Sequence, residues 1–231
     1  MSLPLIMIAT ALVAFILGSL TMWPLICRLG DRLTDALWQL EHDPATGLLN
    51  RAGLRAAHAS LAEAHSAGPI IVVLIDLDDF KSVNDTHGHG RGDDVLVEIG
   101  GRIRALVTLL GGTAARLAGD EYAALLPVRT DGLARIADTI VKLCSKPVEL
   151  TADGEPLAVT VTASVGLALA EATDPFEEAA LRRADIAMYH AKHHGRNRHA
   201  IYEPGMAMPA PDVRRGPRLR DRGQPNGEAT A

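Results

Sequence analysis

The hydrophobic and polar pattern divides this chain into an apolar lead, a periodic middle and a polar end. From Leu3 to Ile26 every position is apolar except Thr10, Ser19 and Thr21, prolines lie near both ends, and the first charged side chain is Arg28. About 20 such residues span a bilayer as a helix, so residues 3–26 are expected to form one N-terminal transmembrane helix. A cleaved signal peptide is the competing view. It lacks its basic leading region, and no small-x-small cleavage site ends the run. A buried core helix would normally carry a polar stripe, which is absent. Arg28 and Arg32 follow the span, whereas the N-terminal flank has no basic side chain. The positive-inside rule then places the N-terminus outside and everything after Arg28 in the cytoplasm. The expected location is the cytoplasmic (inner) membrane, in a single pass. Asp31 to Glu41 continues as a short helical pattern with Leu33, Leu37 and Leu40 on one side. Such a segment either pairs with its copy in a second chain or packs on its own domain, and it is too short to pair stably alone.

Beyond residue 42 the periods become those of a folded domain. Asp43-Pro44 and Thr46-Gly47 mark a turn, and Asn50 can cap a helix from Arg51 to His65 that stops at Gly68-Pro69. Ile70 to Ile75 is continuously apolar and rich in β-branched residues, which predicts a central strand buried on both faces. Ser82 to Asp93 reads as a polar, Gly-rich turn between two helices. The helix that follows, Asp94 to Leu110, has Val95, Leu96, Ile99, Ile103, Leu106 and Leu110 on one face. Apolar runs flank Arg116-Leu-Ala-Gly-Asp-Glu121, so a β-hairpin is expected to carry Asp120 and Glu121 at its tip. Gly132 to Ser145 reads as a helix. Pro147 to Leu150 and Leu157 to Ala168 read as strands joined by a hairpin through Asp153-Gly154. A helix over Phe176 to His193 and a short strand over His199 to Tyr202 complete the domain. The divisions are a membrane anchor (1–27), a linker or signalling helix (28–42), a domain (43–203) and a disordered tail (204–231) rich in Pro, Gly and Arg. The tail arginines could touch an anionic inner leaflet.

Charge and composition narrow the chemistry. The formal net charge is −5, which argues against a nucleic-acid-coating role. Cys27 and Cys144 lie far apart, with no disulfide or zinc spacing, and Cys144 reads as a small core residue. Asp76 ends the buried strand, where a carboxylate is costly unless paired, and a metal ion is one such partner. An EF-hand starting at Asp76-x-Asp78 is excluded because Phe80 occupies the next ligand position. Ala118 and Gly119 have almost no side chain, so a bulky ligand can lie against the backbone there. Asp120 and Glu121 on a rigid hairpin suit a divalent cation and a phosphate-bearing ligand, with a solvated acidic turn as the alternative. Asn84 and Asp93 have the donors and acceptors to read the edge of guanine. His87 and His89 lack a third ligand at metal spacing, and His89 reads as structural or ligand-contacting. Lys192, Arg196 and Arg198 are either helix C-caps or phosphate contacts.

Four ordered blocks carry a resemblance. Asp43-Pro-Ala-Thr-Gly-Leu-Leu-Asn-Arg51, Asp76 to Asp93, Arg116-Leu-Ala-Gly-Asp-Glu-Tyr122 and Ala184 to Arg198 look like the signature of the GGDEF domain, the family of bacterial diguanylate cyclases. The resemblance covers about Asp43 to Glu203. It implies an α/β (α+β) fold: a central mixed, mainly antiparallel sheet flanked by helices, like the palm of nucleotide cyclases and polymerases. It also implies condensation of two GTP into cyclic di-GMP with release of pyrophosphate, in a homodimer. By this resemblance Asp76 and Asp120 hold Mg2+ (with Mn2+ as a substitute), and the Leu77 carbonyl completes the site. Glu121 lies near the metals and the reacting hydroxyl, and Asp120 matches the acid commonly given the 3′-hydroxyl proton. Lys81 matches a lysine that offsets phosphate charge. Asn84 and Asp93, with His89 beside them, match the guanine readers, and Lys192 and Arg196 match phosphate contacts.

The chain departs from the signature in two places. Tyr122 replaces Phe, keeping an aromatic ring. Ala118 replaces Gly, adding a methyl where ligand approaches or where φ is positive, and is expected to slow the reaction. Relatives with product inhibition carry Arg-x-x-Asp upstream of the hairpin, and Leu109-Leu-Gly-Gly112 stands there instead. Two function classes follow: an active cyclase, or a catalytically silent domain that binds GTP or a protein partner.

Overall fold

A computed structural model of the chain describes residues 3–63, 68–128, 132–152 and 154–208. The expected tail beyond residue 208, the last residues of the helix expected to reach His65, and Asp153 of the expected turn lie outside them.

The domain is organised around β1 (Pro69–Leu77), in which every residue after Pro69 is buried. β1 pairs antiparallel with β3 (Glu121–Pro127) on one side and with β6 (Ala163–Glu171) on the other. β2 (Thr113–Ala118) adds antiparallel to β3, and β7 (Arg198–Ile201) adds parallel to β6. The five-stranded order is therefore β2-β3-β1-β6-β7, a mixed and mainly antiparallel sheet as expected. Ile71, Val73, Ile75 and Leu77 face a core completed by α4 (His89–Leu109) and α5 (Leu133–Cys144). Ile70, Val72 and Leu74 face a second core with α2 (Arg51–Glu63), a π-helical segment (Phe176–Leu181) and α6 (Arg182–His193). Each large apolar side chain buried this way contributes about 1.5–3 kcal/mol, which is why the strand reads as an unbroken apolar run rather than an alternating one. Cys144 lies in the first core, and burial pushes its thiol up to about 12.

Several expectations are corrected. The Gly-rich stretch is not a turn: α3 (Phe80–His87) and α4 are separated by Gly88 alone, and α4 begins at His89 rather than Asp94. Gly92 lets the two helices meet closely, since a Cβ there would collide with Asn84 Oδ1. The single strand expected over Leu157–Ala168 is two. β5 (Glu155–Val159) forms a separate hairpin with β4 (Val148–Ala152), and the chain crosses to the main sheet through Thr160–Thr162. The alternating and the fully apolar halves of that stretch belong to different sheets. The helix expected from Phe176 starts as a π-helical turn, with the Ala180 amide donating to the Pro175 carbonyl.

The stretches expected as anchor and linker form one helix, α1 (Leu3–Glu41), with Pro24 inside it. Among the described residues, no helix is long and apolar enough to cross a membrane; the side chains of several positions between 3 and 16 lie outside that description. Leu33, Leu37 and Leu40 are exposed, so this face is not packed on its own domain. The end of α1 is tied to α2 through Asn50. Its side-chain amide donates to the carbonyls of Gln39, Leu40 and His42 at 3.1–3.3 Å. Its Oδ1 accepts from the Gly53 amide at 3.0 Å, capping α2 as expected.

His58 of α2 is buried against Phe176 with no hydrogen-bond partner for Nε2 among the described residues. Burial lowers its pKa from the ordinary imidazole value, partly opposed by the charge of Asp174. The unfolded chain therefore takes up a proton that the folded chain refuses, and stability falls as pH drops through about 6.5. His58→Leu is expected to flatten the loss of Tm between about pH 7 and pH 5, measured by thermal denaturation. An equal loss in the variant would show that His58 does not carry it.

Candidate active site

The end of β1 and the β2–β3 turn meet at one edge of the sheet. In the β1–β3 register Asp76 lies directly opposite Glu121. Both belong to the face that also carries Leu74 and Ala123, toward α6. Asp76 is buried, and its Oδ2 accepts from Lys192 Nζ at 2.8 Å. Burial raises the Asp76 carboxyl above its ordinary pKa; Lys192 opposes the shift, and the charges of Asp120 and Asp78 add to it. Glu121 is raised likewise, first by burial and then by the charge of Asp76, with Lys192 opposing. The Leu77 amide donates to the Asp120 carbonyl at 3.2 Å, so the turn folds onto the strand end. Asp76, Leu77, Asp120, Glu121 and Lys192 are thus brought together. Lys192 sits on an acid of the cluster rather than apart from it.

The hairpin geometry removes the positive-φ ground for the reading of Ala118. It is the last residue of β2, pairs with Glu121 and is exposed. It is not among the residues with positive φ; Gly119 is, at +49°. Glycine is therefore favoured at 119, and Ala118 brings no backbone strain. A bulge between Arg116 and Ala118 turns the chain into the tip. Arg116 braces that tip: Nε donates to the Gly119 carbonyl at 2.8 Å and Nη1 to Asp43 Oδ1 at 3.1 Å. Burial would raise the Asp43 carboxyl, yet the Thr46 hydroxyl and amide and the Arg116 guanidinium hold it below its ordinary value.

The expected base-reading residues form a second group. Asn84 lies in the last turn of α3, and His89 and Asp93 lie one turn apart at the start of α4, hence on one face. Asn84 is half-buried, and His89 and Asp93 are exposed. Lys81 is exposed in the first turn of α3. Arg196 lies in the turn between α6 and β7, with Nη2 3.7 Å from Asp79 Oδ1.

Sequence reasoning missed two features. A cleft of about 610 Å³ runs beside Glu121, lined among others by Arg51, Leu117, Arg182 and Asp185. Arg51, read from sequence only as a helix start, points its guanidinium at Glu177 (3.0 Å), which also holds Arg55 (2.8 Å). The Asp43–Arg116 brace was the other omission. The signal was present, since both charges lie inside motif blocks otherwise explained by turns.

With this geometry in place, comparison with known proteins is direct. The family described as diguanylate cyclase, GGDEF domain, matches residues 40–198. The chain belongs to the GGDEF domain family. MucR of Pseudomonas aeruginosa, a bifunctional diguanylate cyclase and cyclic di-GMP phosphodiesterase, is 38% identical over 168 residues, covering 71% of this chain and 24% of MucR. The diguanylate cyclase TpbB of the same species is 36% identical over 192 residues, covering 81% of this chain and 43% of TpbB. The coiled coil and GGDEF domain of DgcB from Caulobacter crescentus, solved with c-di-GMP, superposes with a TM-score of 0.68 at 26% identity, covering 83% of this chain and 99% of that one. The chain spans less than half the length of these curated relatives.

The Tyr122 departure of this GGDEF domain is accommodated in the core. The ring is fully buried and its hydroxyl donates to the Leu96 carbonyl at 2.7 Å. Tyr122→Phe should lower unfolding free energy by about 1 kcal/mol, the net worth of one such bond, as read by denaturant titration. A loss above about 3 kcal/mol would mean that the hydroxyl supports more than this contact.

Proposed function

We propose that this GGDEF domain condenses two GTP into cyclic di-GMP with release of two pyrophosphates. The observation that carries this reading is the pair Asp76 and Glu121, face to face and partly desolvated, with one lysine against them. Two carboxylates forced together call for cationic compensation beyond Lys192. Among the described residues, no group of three or more His, Cys, Asp or Glu side chains is gathered to hold a metal ion. The expected set is smaller, two carboxylates and a main-chain carbonyl. It fits Mg2+, which commonly takes one or two carboxylates and completes its shell with substrate phosphates and water. Asp76 and Asp120, with the Leu77 carbonyl, are the residues that would hold it. When bound, Mg2+ or Mn2+ offsets charge on the attacked α-phosphate and on the leaving pyrophosphate.

The chain's own residues have distinct parts in this reading. Lys192, Arg196 and Lys81 hold the phosphates. Asn84 and Asp93, with His89 alongside, read guanine: a carboxylate accepts the N1 and N2 hydrogens, whereas adenine presents an acceptor at N1. Gly119 and Ala118 leave the backbone open to the nucleotide. Asp120 takes the proton of the 3′-hydroxyl as that oxygen bonds to the other nucleotide's α-phosphorus and the α–β bridge breaks. One domain holds one GTP, so the reaction needs two domains facing each other. The exposed Leu33, Leu37 and Leu40 row on α1 supports pairing with a second copy. On sequence alone, residues 3–26 would anchor the chain in the inner membrane with the domain in the cytoplasm, raising the local concentration of partners. With Arg-x-x-Asp missing, cyclic di-GMP would inhibit only by competing at the active site.

Asp120→Asn should cut turnover of GTP by about 100-fold or more while the fold persists, the size of loss expected when the group that takes the proton is removed. Normal turnover in that variant, with circular dichroism unchanged, would remove Asp120 from the site. Specific activity should also fall on dilution of a form starting at Asp43 and recover when a dimeric coiled coil is fused ahead of it. Activity independent of dilution in a monomer would refute the dimer requirement.

A further inference from the structure

We propose that Asp78 is the positioning residue of the phosphate subsite, fixing the turn that presents Arg196; this rests on the cyclase reading above. Asp78 follows the strand that delivers Asp76, yet its carboxylate is used differently. It is buried, and both oxygens are taken. Oδ1 accepts from the Ser164 hydroxyl at 2.6 Å. Oδ2 accepts from the Thr162 hydroxyl at 2.7 Å and from the Asn197 amide at 2.9 Å. A carboxylate filled by three donors is committed to protein structure rather than to a cation.

What it holds is a strained turn. Gly195, Arg196 and Asn197 have φ of +114°, +57° and +48°, and Arg196 and Asn197 are two of the three non-glycine residues with positive φ among those described. Consecutive residues in this region persist only where their surroundings over-determine them, and such strain gathers at ligand-binding sites. Here the surroundings include two backbone-amide bonds, one from Arg196 and one from Asn197, beside the Arg198 Nε bond to the Arg196 carbonyl. The Arg196 amide donates to the Ala191 carbonyl at 3.2 Å, and the Asn197 amide donates to Asp78. The first ties the turn to the end of α6, which carries Lys192. The second ties it to the end of β1, which carries Asp76. Asp78 thereby sets the distance between the phosphate-binding arginine and the acidic cluster. Asp78→Asn can keep the turn, since its Nδ2 can face Ser164, whose hydroxyl rotates to accept, while its Oδ1 still accepts from Thr162 and Asn197. Asp78→Ala removes every acceptor and leaves the Asn197 amide without this partner.

The test uses the full chain with Asp78→Ala, Arg196→Ala and the double variant. Asp78→Ala is expected to raise KM for GTP about tenfold, the scale of one lost charged hydrogen bond. kcat should change less, and the Mg2+ concentration for half-maximal activity should not move. In the Arg196→Ala background Asp78→Ala should add little, because both act on the same contact. GTP should also lose its binding advantage over GMP in Asp78→Ala, a readout that does not need turnover. A wild type that makes no cyclic di-GMP would sink the cyclase reading while leaving this one standing. If Asp78→Ala fails to fold, Thr162→Val removes one donor to Oδ2 and should shift KM in the same direction by less. Losses that multiply in the double variant would overturn the inference. A shifted Mg2+ requirement at unchanged KM would also overturn it, by making Asp78 a metal ligand.

Discussion

The antiparallel register of β1 against β3 is the constraint on which the catalytic end depends. It places Asp76 opposite Glu121 and, one residue on, lets the Leu77 amide bond the Asp120 carbonyl. A slip of one residue would move every side chain of β1 to the other face and take Asp76 into the core with Ile71 and Val73. Register is well protected here, because β1 is paired on both sides and buried on both faces. The sheet thus uses its central strand to hold acidic groups together. Burial raises both carboxyls first; the charges of Asp120 and Asp78 add to the rise at Asp76, those of Asp76 and Asp120 add to the rise at Glu121, and Lys192 only partly offsets the effect. A site of this kind costs stability and is retained where a ligand supplies the missing positive charge.

The acidic edge is also continuous with the helix that leads into the domain. Asn50 joins the end of α1 to the start of α2. The Arg116 amide donates to the Leu49 carbonyl, and the Arg116 side chain bridges Asp43 to the Gly119 carbonyl. From Leu40 to the tip of the hairpin the path consists of hydrogen bonds between neighbours. The orientation of α1 is therefore tied to the turn that carries Asp120, and not only to the domain as a whole.

How much of this was legible in the sequence depended on whether a residue's partner was local. β1 was legible because six consecutive apolar residues have one reading. The Asn50 cap was legible because a cap and its helix are adjacent. The Gly-rich stretch was misread because Gly90 and Gly92 look like turn residues, whereas both lie in α4 and Gly92 serves the close approach of α3 and α4, a tertiary contact that overrides propensity. Leu157 to Ala168 was read as one strand because no Gly or Pro marks the crossing at Thr160–Thr162. Asp78 was the hardest, since its partners Thr162, Ser164 and Asn197 lie more than 80 residues away. From sequence, a carboxylate at a strand end looks like a metal ligand, and the donors that satisfy Asp78 became visible only once β6 and the α6–β7 turn were placed beside β1. The Ala118 departure looked costly as a letter change. In the fold it is an exposed strand residue with ordinary backbone, and Gly119 alone occupies the left-handed position.

The central claim is that this acidic edge joins two guanosine nucleotides, and the stoichiometry of the reaction tests it most directly. Purified full chain would be incubated with GTP and Mg2+, and nucleotide products and pyrophosphate counted together. The account predicts one cyclic di-GMP and two pyrophosphates for every two GTP consumed, with neither product formed when Mg2+ is chelated. GTP consumed to GDP and inorganic phosphate, or no consumption by folded dimeric protein with either Mg2+ or Mn2+, would contradict it.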